Sequence, residues 1–260
     1  MNVLQNLVEL YNQLPFDSTY RVVVKGILEN LDKISDATIY DIAEITNSSR
    51  TTVWRMVKKM GYKTFSDFKY ALKAAVSQYT YYNRMLPMQN TLNEYDIIPT
   101  FISQFKQTCE AIEQKFSTET MIELAEELHR AKKISFYLPY RIYSIYSLQQ
   151  NLAMASKETG YFCLLPDMLS DAETLDSNSL IFVSTLEFAE TLDMSSVFSI
   201  AKSKGSKIFL LNGFKSRYSS YADCLLFDKD VKPSSDHAWN VTFEIFILAL
   251  SEVYRSRFIK

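Results

Sequence analysis

The sequence predicts an all-α domain at the N-terminus and, after it, an α/β domain in which helices sandwich a parallel sheet. Residues 1–77 carry apolar side chains at helical spacing throughout. Farther along, short apolar segments alternate with intervals that are mostly long enough for helices, the pattern of strands buried on both faces of a parallel sheet. A polar, tyrosine-rich stretch, 78–91, separates the two patterns. It is the predicted linker, which leaves 92–260 for the second domain.

Length and composition exclude several classes of protein. The 260 residues suit one large domain or two modest ones, and 47% hydrophobic with 22% charged residues is ordinary for a globular chain. The 5 glycines are under a third of the typical usage of about 7%, so glycine-rich phosphate loops are nearly excluded. Three scattered cysteines and two histidines predict reduced thiols, no metal site and no cofactor. No export signal or membrane span is recognisable, which predicts a cytoplasmic protein.

The first two helices are predicted from their apolar stripes. One runs from Val3 to Leu14, where the following Pro15 disfavours helical backbone. A second runs from Tyr20 to about Leu31.

A helix-turn-helix follows. Thr38, three residues before Asp41, forms a capping-box-like start for a short helix that ends near Thr46. After a polar turn, the hydroxyl of Ser49 is placed to cap the next helix, which Gly61 stops. A short helix, a tight polar turn and a capped helix are typical of this motif.

The helix after Ser49 separates into two faces at about 100° per residue. One face is predicted to be core, and it holds Val53, Met56, Val57 and Met60. The other offers cations for phosphate or guanine together with a hydroxyl and an aromatic ring, and it holds Thr51, Trp54, Arg55 and Lys58. Residues 33–76 contain eight basic and four acidic residues, a net charge of +4 that suits nucleic acid. A solvated helical face would give the same pattern, and Trp54 would equally suit packing against a neighbouring helix.

Residues 39–69 resemble the N-terminal domain of RpiR/MurR-type bacterial transcriptional regulators. The positions in register with the motif of that family are Ile42-Ala43, Ser49, Thr52-Val53, Arg55, Lys59, Gly61-Tyr62, Phe65 and Phe68-Lys69. The resemblance implies that this domain binds DNA through the helix after Ser49, its recognition helix, and through the following turn, which contacts the DNA backbone. The predicted DNA-binding residues are Ser49, Arg50, Thr51, Thr52, Trp54, Arg55, Lys58, Lys59, Lys63 and Thr64. Trp54 stands where the family usually has a small aliphatic residue.

The second domain begins with helices and continues with alternating strands and helices. An apolar stripe runs from Phe101 to Phe116, and Ser117 is placed to cap the next helix. The predicted strands are 134–138, 161–165, 180–185, 207–212 and 224–228, with helices at 142–157 and 195–205 among the intervals.

Residues 92–260 resemble the SIS (sugar isomerase) domain, a flavodoxin-like sandwich that typically follows this DNA-binding domain in RpiR-type regulators. In that family, glycine-containing loops after the first and third strands hold a sugar phosphate through backbone amides and hydroxyls. Here Pro139, Tyr140 and Arg141 replace the first glycines, and the third-strand loop has lost its glycine. A side chain hinders close approach of the backbone to phosphate, and proline removes an amide donor.

The candidate ligand-binding residues are Tyr140, Arg141, Ser144, Ser184, Thr185, Glu187 and Thr191. Glu187 and Glu190 would repel a dianion, whereas Arg141 would attract one. We therefore expect weak binding of common hexose and aminosugar phosphates, in a pocket that is either adapted to another ligand or vestigial.

Two classes of function follow from these features. The first is a DNA-binding regulator of sugar or aminosugar metabolism genes, which binds a palindromic operator as a homodimer or tetramer and senses a metabolite such as a sugar phosphate. The second is a sugar-phosphate isomerase, which needs a carboxylate or imidazole for proton transfer, with Glu187, Glu190 and His237 as candidates. The helix-turn-helix and the altered loops favour the regulator, without enzymatic activity or a catalytic residue. The first helix, Val3 to Leu14, and the stripe at Phe101 to Phe116 are the candidate dimer surfaces.

Overall fold

The computed structural model describes residues 3–77, 93–138, 142–185, 193–211, 217–227 and 239–259. The chain divides into two compact units, Met1–Tyr82 and Asn83–Lys260, each with its own hydrophobic core. The predicted linker, 78–91, lies outside the described residues. The predicted domain limits therefore stay predictions.

The described part of the N-terminal unit is helical. Its helices are α1 (Val3–Gln13), α2 (Thr19–Leu28), α3 (Leu31–Ile34), α4 (Ile39–Ile45), α5 (Arg50–Lys59) and α6 (Phe65–Ser77). The second predicted helix is wrong in extent, because it ends at Leu28 and a separate short helix begins at Leu31. Asn30 has non-helical backbone angles between them, and its side-chain amide donates to the carbonyl of Gly26 at 2.9 Å.

The apolar face of α1 is part of the core of its own unit. Val3 and Leu7 are fully buried there, and Leu14 is nearly so. The expectation that this face joins two copies is therefore wrong for these residues, since the helices of the same chain already cover them.

The helix-turn-helix forms as the sequence predicts. The Thr38 hydroxyl accepts a hydrogen bond from the backbone amide of Asp41, and the backbone amide of Thr38 donates to the Asp41 carboxylate, which completes the capping box of α4. Asn47 turns the chain with a φ of 46°, and Gly61, with a φ of 88°, follows α5. A Cβ on Gly26 of α2 would lie 2.7 Å from Cγ2 of Thr46, so only glycine lets α2 approach this turn so closely.

The C-terminal unit alternates strands and helices after a helical start. Its described elements are α7 (Ile97–Lys115), α8 (Thr118–Arg130), β1 (Lys133–Tyr137), α9 (Ser144–Met154), β2 (Glu158–Phe162), α10 (Leu165–Ala172), β3 (Ser179–Val183), α11 (Ser195–Ser203), β4 (Lys207–Leu210), β5 (Cys224–Leu225) and α12 (Trp239–Phe258), with short 3₁₀ turns at Glu94–Asp96 and Ser219–Tyr221.

The five strands form one parallel sheet in the order β2-β1-β3-β4-β5. This is the flavodoxin-like order, so the predicted fold class is confirmed. Every residue of β3 is buried, as expected for a central strand covered on both faces. The predicted strand 161–165 is misplaced, because β2 ends at Phe162 and Leu165 already begins α10, with Pro166 in its first turn.

Aromatic side chains fill the core between the sheet and its helices. The rings of Phe136 on β1 and Phe182 on β3 stack at 5.5 Å. Phe116, which follows α7, packs against Phe227 and Phe246 at 5.2 and 4.7 Å between ring centroids. The C-terminal end of the α7 stripe therefore belongs to the core.

Candidate nucleic-acid interface and effector site

Local hydrogen bonds fix the start of the recognition helix α5. The hydroxyl of Ser49 accepts from the backbone amide of Thr52 at 3.0 Å, and the two hydroxyls lie 2.9 Å apart. Ser49, Arg50 and Thr51 are exposed, and Thr52 is half-buried. The N-terminal turn of α5, the part that such helices insert into the major groove, is therefore both capped and accessible.

Arg50 has an aromatic neighbour that the sequence analysis missed. Its guanidinium carbon lies 4.5 Å from the centroid of the Tyr40 ring, and Tyr40 is 61% exposed on α4. This stacking restricts the arginine while leaving its donors available. The sequence signal that points to this contact is Tyr40 itself, a tyrosine in the first helix of the helix-turn-helix.

Lys58 is held in place by two interactions. Its Nζ lies 4.8 Å from the centroid of the Trp54 ring and donates to the backbone carbonyl of Lys63 at 2.9 Å. Trp54 is half-buried and packs against the core of the N-terminal unit. One side of the Trp54 ring therefore packs against its own unit, which was one of the two alternatives, and Lys58 contacts another side.

The remaining predicted DNA contacts lie in or just after α5. Arg55, Lys59 and Lys63 are exposed. Thr64 caps α6, since its hydroxyl accepts from the amide of Asp67 at 3.0 Å while its own amide donates to that carboxylate. The backbone after the recognition helix is thereby fixed.

Two carboxylates of the N-terminal unit are occupied elsewhere. Asp36 pairs with Lys73, which lowers the pKa of this carboxyl, and Asp41 serves the capping box. Within the described ranges no carboxylate forms an ion pair with the cations of α5 and the turn after it. Those cations are Arg50, Arg55, Lys58, Lys59 and Lys63.

The predicted effector site lies where β1 and β3 end, at the point where the strand order reverses. Ser144 begins α9, and Ser184 and Thr185 follow β3, and all three are buried. The amide of Ser184 donates to the carbonyl of Tyr137 at 3.1 Å, which ties the ends of β3 and β1 together. The other candidate ligand-binding residues, Tyr140, Arg141, Glu187 and Thr191, lie outside the described residues, as do the candidate catalytic residues Glu190 and His237.

A second group of charges lines an open groove of the sheet domain. Lys133 is nearly buried and contacts Asp171 at 2.7 Å and Glu158 at 3.3 Å, and Tyr137 donates to Asp171 at 2.7 Å. Burial and the adjacent Asp171 raise the pKa of Tyr137. These charges and the Tyr137 hydroxyl satisfy one another.

A capped, exposed and basic helix behind a tight polar turn defines a DNA-binding helix-turn-helix protein. Residues 1–79 match the model of the helix-turn-helix domain, rpiR family. The chain is a transcriptional regulator whose N-terminal domain belongs to the rpiR family. It is 24% identical over 204 residues to an uncharacterized HTH-type transcriptional regulator in the aarA 3' region of Providencia stuartii, an alignment that covers 75% of this chain and 70% of that protein.

Similar chains also occur among solved structures. The Vibrio vulnificus NanR protein complexed with ManNAc-6P is 23% identical, with a TM-score of 0.49 over 98% of this chain and 92% of that chain. The sugar isomerase domain of an RpiR transcription factor from Sphaerobacter thermophilus is 14% identical, with a TM-score of 0.46 over 63% of this chain and 90% of that one. Strand order and register, rather than these scores, establish the fold of the C-terminal unit.

The described residues contain neither a metal-binding cluster nor a membrane-spanning helix. No three His, Cys, Asp or Glu side chains in this part of the chain group closely enough to hold a metal ion. None of its helices combines the length and the apolar character needed to span a bilayer.

Proposed function

We propose that this regulator binds a palindromic operator as a homodimer or dimer of dimers and controls genes of sugar or aminosugar metabolism. Its C-terminal domain joins the copies and binds a small-molecule effector. The unneutralised cations on the exposed face of α5 are the observation that supports DNA binding most directly. The proposed DNA contacts are Ser49, Arg50, Thr51, Thr52, Trp54, Arg55, Lys58, Lys59, Lys63 and Thr64.

These contacts divide by chemistry. Arg55, one turn into α5 and exposed, suits bidentate contact with a guanine in the major groove. Lys58 and Lys63, at the end of the helix and in the turn after it, suit phosphates. Phosphate contacts give affinity for any sequence, whereas base contacts give specificity.

The N-terminal half of α7 is the proposed surface between copies. Ile98, Ile102 and Phe105 follow one another at helical spacing, and they are 67%, 44% and 38% exposed. Apolar residues at positions i, i+4 and i+7 form one stripe, which a second copy would cover. The C-terminal end of the same predicted stripe, Ile112 and Phe116, is buried within its own unit and is not available.

Light scattering of the full chain at micromolar concentration tests this surface. We expect a dimer or tetramer for the wild type and a smaller species for Ile102→Glu, because a charge in the stripe opposes association. Val22→Glu, at a 52% exposed position of the N-terminal unit, is the matched control and should keep the wild-type mass. A monomeric wild type would contradict the proposal.

Footprinting on genomic fragments tests the regulator as a whole. Two protected half-sites related by two-fold symmetry, about 34 Å or a multiple apart, are the expected result. A single asymmetric half-site would refute binding as a dimer. An assay of aldose–ketose isomerisation on the same preparation tests the proposed absence of enzymatic activity, which turnover above the buffer rate would contradict.

A further inference from the structure

The helix that follows β1 begins with amides that the chain itself already occupies. The amides of Tyr143 and Ser144 donate to the two carboxylate oxygens of Glu244, at 2.7 and 2.8 Å. Glu244 lies on α12, about one hundred residues farther along the chain. The preceding amide, that of Ile142, donates to the hydroxyl of Tyr161 at 2.7 Å. Three successive donors at the start of α9 are therefore satisfied by side chains from elsewhere in the fold.

The geometry of this contact is that of a bound anion. A helix N-terminus offers unpaired amides and the positive end of the helix dipole, which is why phosphates and carboxylates bind there. Glu244 supplies one negative charge through both of its oxygens. The N-cap residue of α9, Tyr143, makes no capping hydrogen bond through its own side chain.

A local carboxylate lies at the start of α11, the helix that follows β3. Asp193 accepts from the amide of Ser195 at 3.0 Å, at the first turn of α11, and from its hydroxyl at 2.6 Å. Tyr218 donates to the same oxygen at 3.0 Å, and Arg217 lies 3.3 Å away. These hydrogen bonds lower the pKa of Asp193 to about 2, so it is charged at neutral pH. The helices that follow β1 and β3 therefore both begin beside carboxylates of the protein.

Two buried hydroxyl groups near the carboxyl ends of β1 and β3 have no hydrogen-bond partner among the described residues. They are the Oγ atoms of Ser144, in the first turn of α9, and of Ser184, directly after β3. The two residues are 4% and 0% exposed. A buried hydroxyl without a hydrogen bond is costly, so both favour a ligand that carries hydroxyl groups.

We propose that Glu244 determines the specificity of the effector site, because its carboxylate fills the position where a phosphate would bind. A phosphate ester would have to displace a carboxylate from two good donors and would then be repelled by it. The ligand that Ser144 and Ser184 can bind is therefore an unphosphorylated, hydroxyl-rich compound. This inference rests on the proposed effector-binding role of the C-terminal domain.

Titration of the full-length protein with inorganic phosphate and with a panel of hexose 6-phosphates tests the role of Glu244. For the wild type we expect dissociation constants above about 10 mM, the range of negligible binding. Glu244→Ala, which frees both amides and removes the negative charge, should bind phosphate at least tenfold more tightly. Glu244→Gln removes the charge while keeping the side-chain volume, and it should show a gain of the same sign.

The matched control is Glu252→Gln, on the same helix. Glu252 pairs with Arg255 at 2.6 Å, so this variant removes an equal charge away from the start of α9 and should bind phosphate as weakly as the wild type. Circular dichroism confirms that each variant is folded. Millimolar or tighter binding of phosphate by the wild type, or no gain in either folded Glu244 variant, would overturn the inference.

The outcome is separable from that of the proposed function. The phosphate titration needs neither operator nor effector, so a negative result leaves DNA binding and assembly intact. A wild type that is monomeric and binds no operator would defeat the proposed function whatever the Glu244 variants bind.

Discussion

Replacing Arg55 with alanine should weaken binding to the operator without weakening the fold. Arg55 is exposed, and no carboxylate in the described part of the chain pairs with it, so the change in folding free energy should stay within about 0.5 kcal/mol. A bidentate contact between arginine and guanine contributes about 1–3 kcal/mol of discrimination. At about 1.4 kcal/mol per factor of ten, operator binding should weaken about 5- to 150-fold.

Replacing Lys58 should have a different signature. Its ammonium group is already directed by Trp54 and by the carbonyl of Lys63, which places a fixed charge at the end of the helix. A phosphate contact of this kind is independent of sequence. Lys58→Ala should therefore weaken all DNA alike and reduce the slope of log affinity against log salt by about 1.

Fluorescence anisotropy with an operator duplex and a scrambled duplex, at several salt concentrations, measures both signatures. Lys202→Ala, which removes one exposed charge from α11 in the other unit, is the control for net charge. Unchanged affinity in both the Arg55 and the Lys58 variants would refute the assignment of the exposed face of α5 as the DNA-binding surface. An equal loss on both duplexes for Arg55→Ala would refute base reading by this residue.

Three further results are expected. Ser49→Ala should lower the unfolding free energy of the N-terminal unit by about 1 kcal/mol in thermal melting, because the cap of α5 is lost. Ser49→Asp should retain most of the stability of the wild type, because aspartate also caps helices. Equal melting of the wild type and the alanine variant would contradict the capping role. Burial, with a smaller effect of Lys157, lowers the pKa of His129, so the unfolded chain takes up protons more readily. Stability should therefore fall as the pH drops below about 6.5, and His129→Phe should abolish that part of the pH dependence measured by urea unfolding. Phe246→Ala should lower the free energy of unfolding, measured with urea, by about 3–5 kcal/mol, because the ring is fully buried between Phe116 and Phe227. An unchanged midpoint of unfolding would show that the site collapses around the smaller side chain.

The local signals in the sequence were sufficient for the helix-turn-helix. Caps at Thr38 and Ser49 and a glycine after α5 act over three or four residues, so they are visible in the chain order and they form as predicted. The same holds for the buried strands, whose apolar runs record burial on both faces. The resemblance to a known family then gave the expected function of the first domain.

Other features depend on contacts between segments that are distant in the chain. The apolar face of α1 and the stripe of α7 look alike in sequence, yet the first is core and half of the second is exposed. The end of β2 was misplaced because an apolar run does not show where a strand gives way to a helix.

The occupied start of α9 was decided by tertiary structure alone. Glu244 carries no motif, and Tyr143 and Ser144 lie about one hundred residues before it. Only the packing of α12 against α9 brings its carboxylate to those amides. Sequence determines which residues can form an element, because periodicity and capping are local, whereas the charge at a binding site depends on which elements the fold brings together.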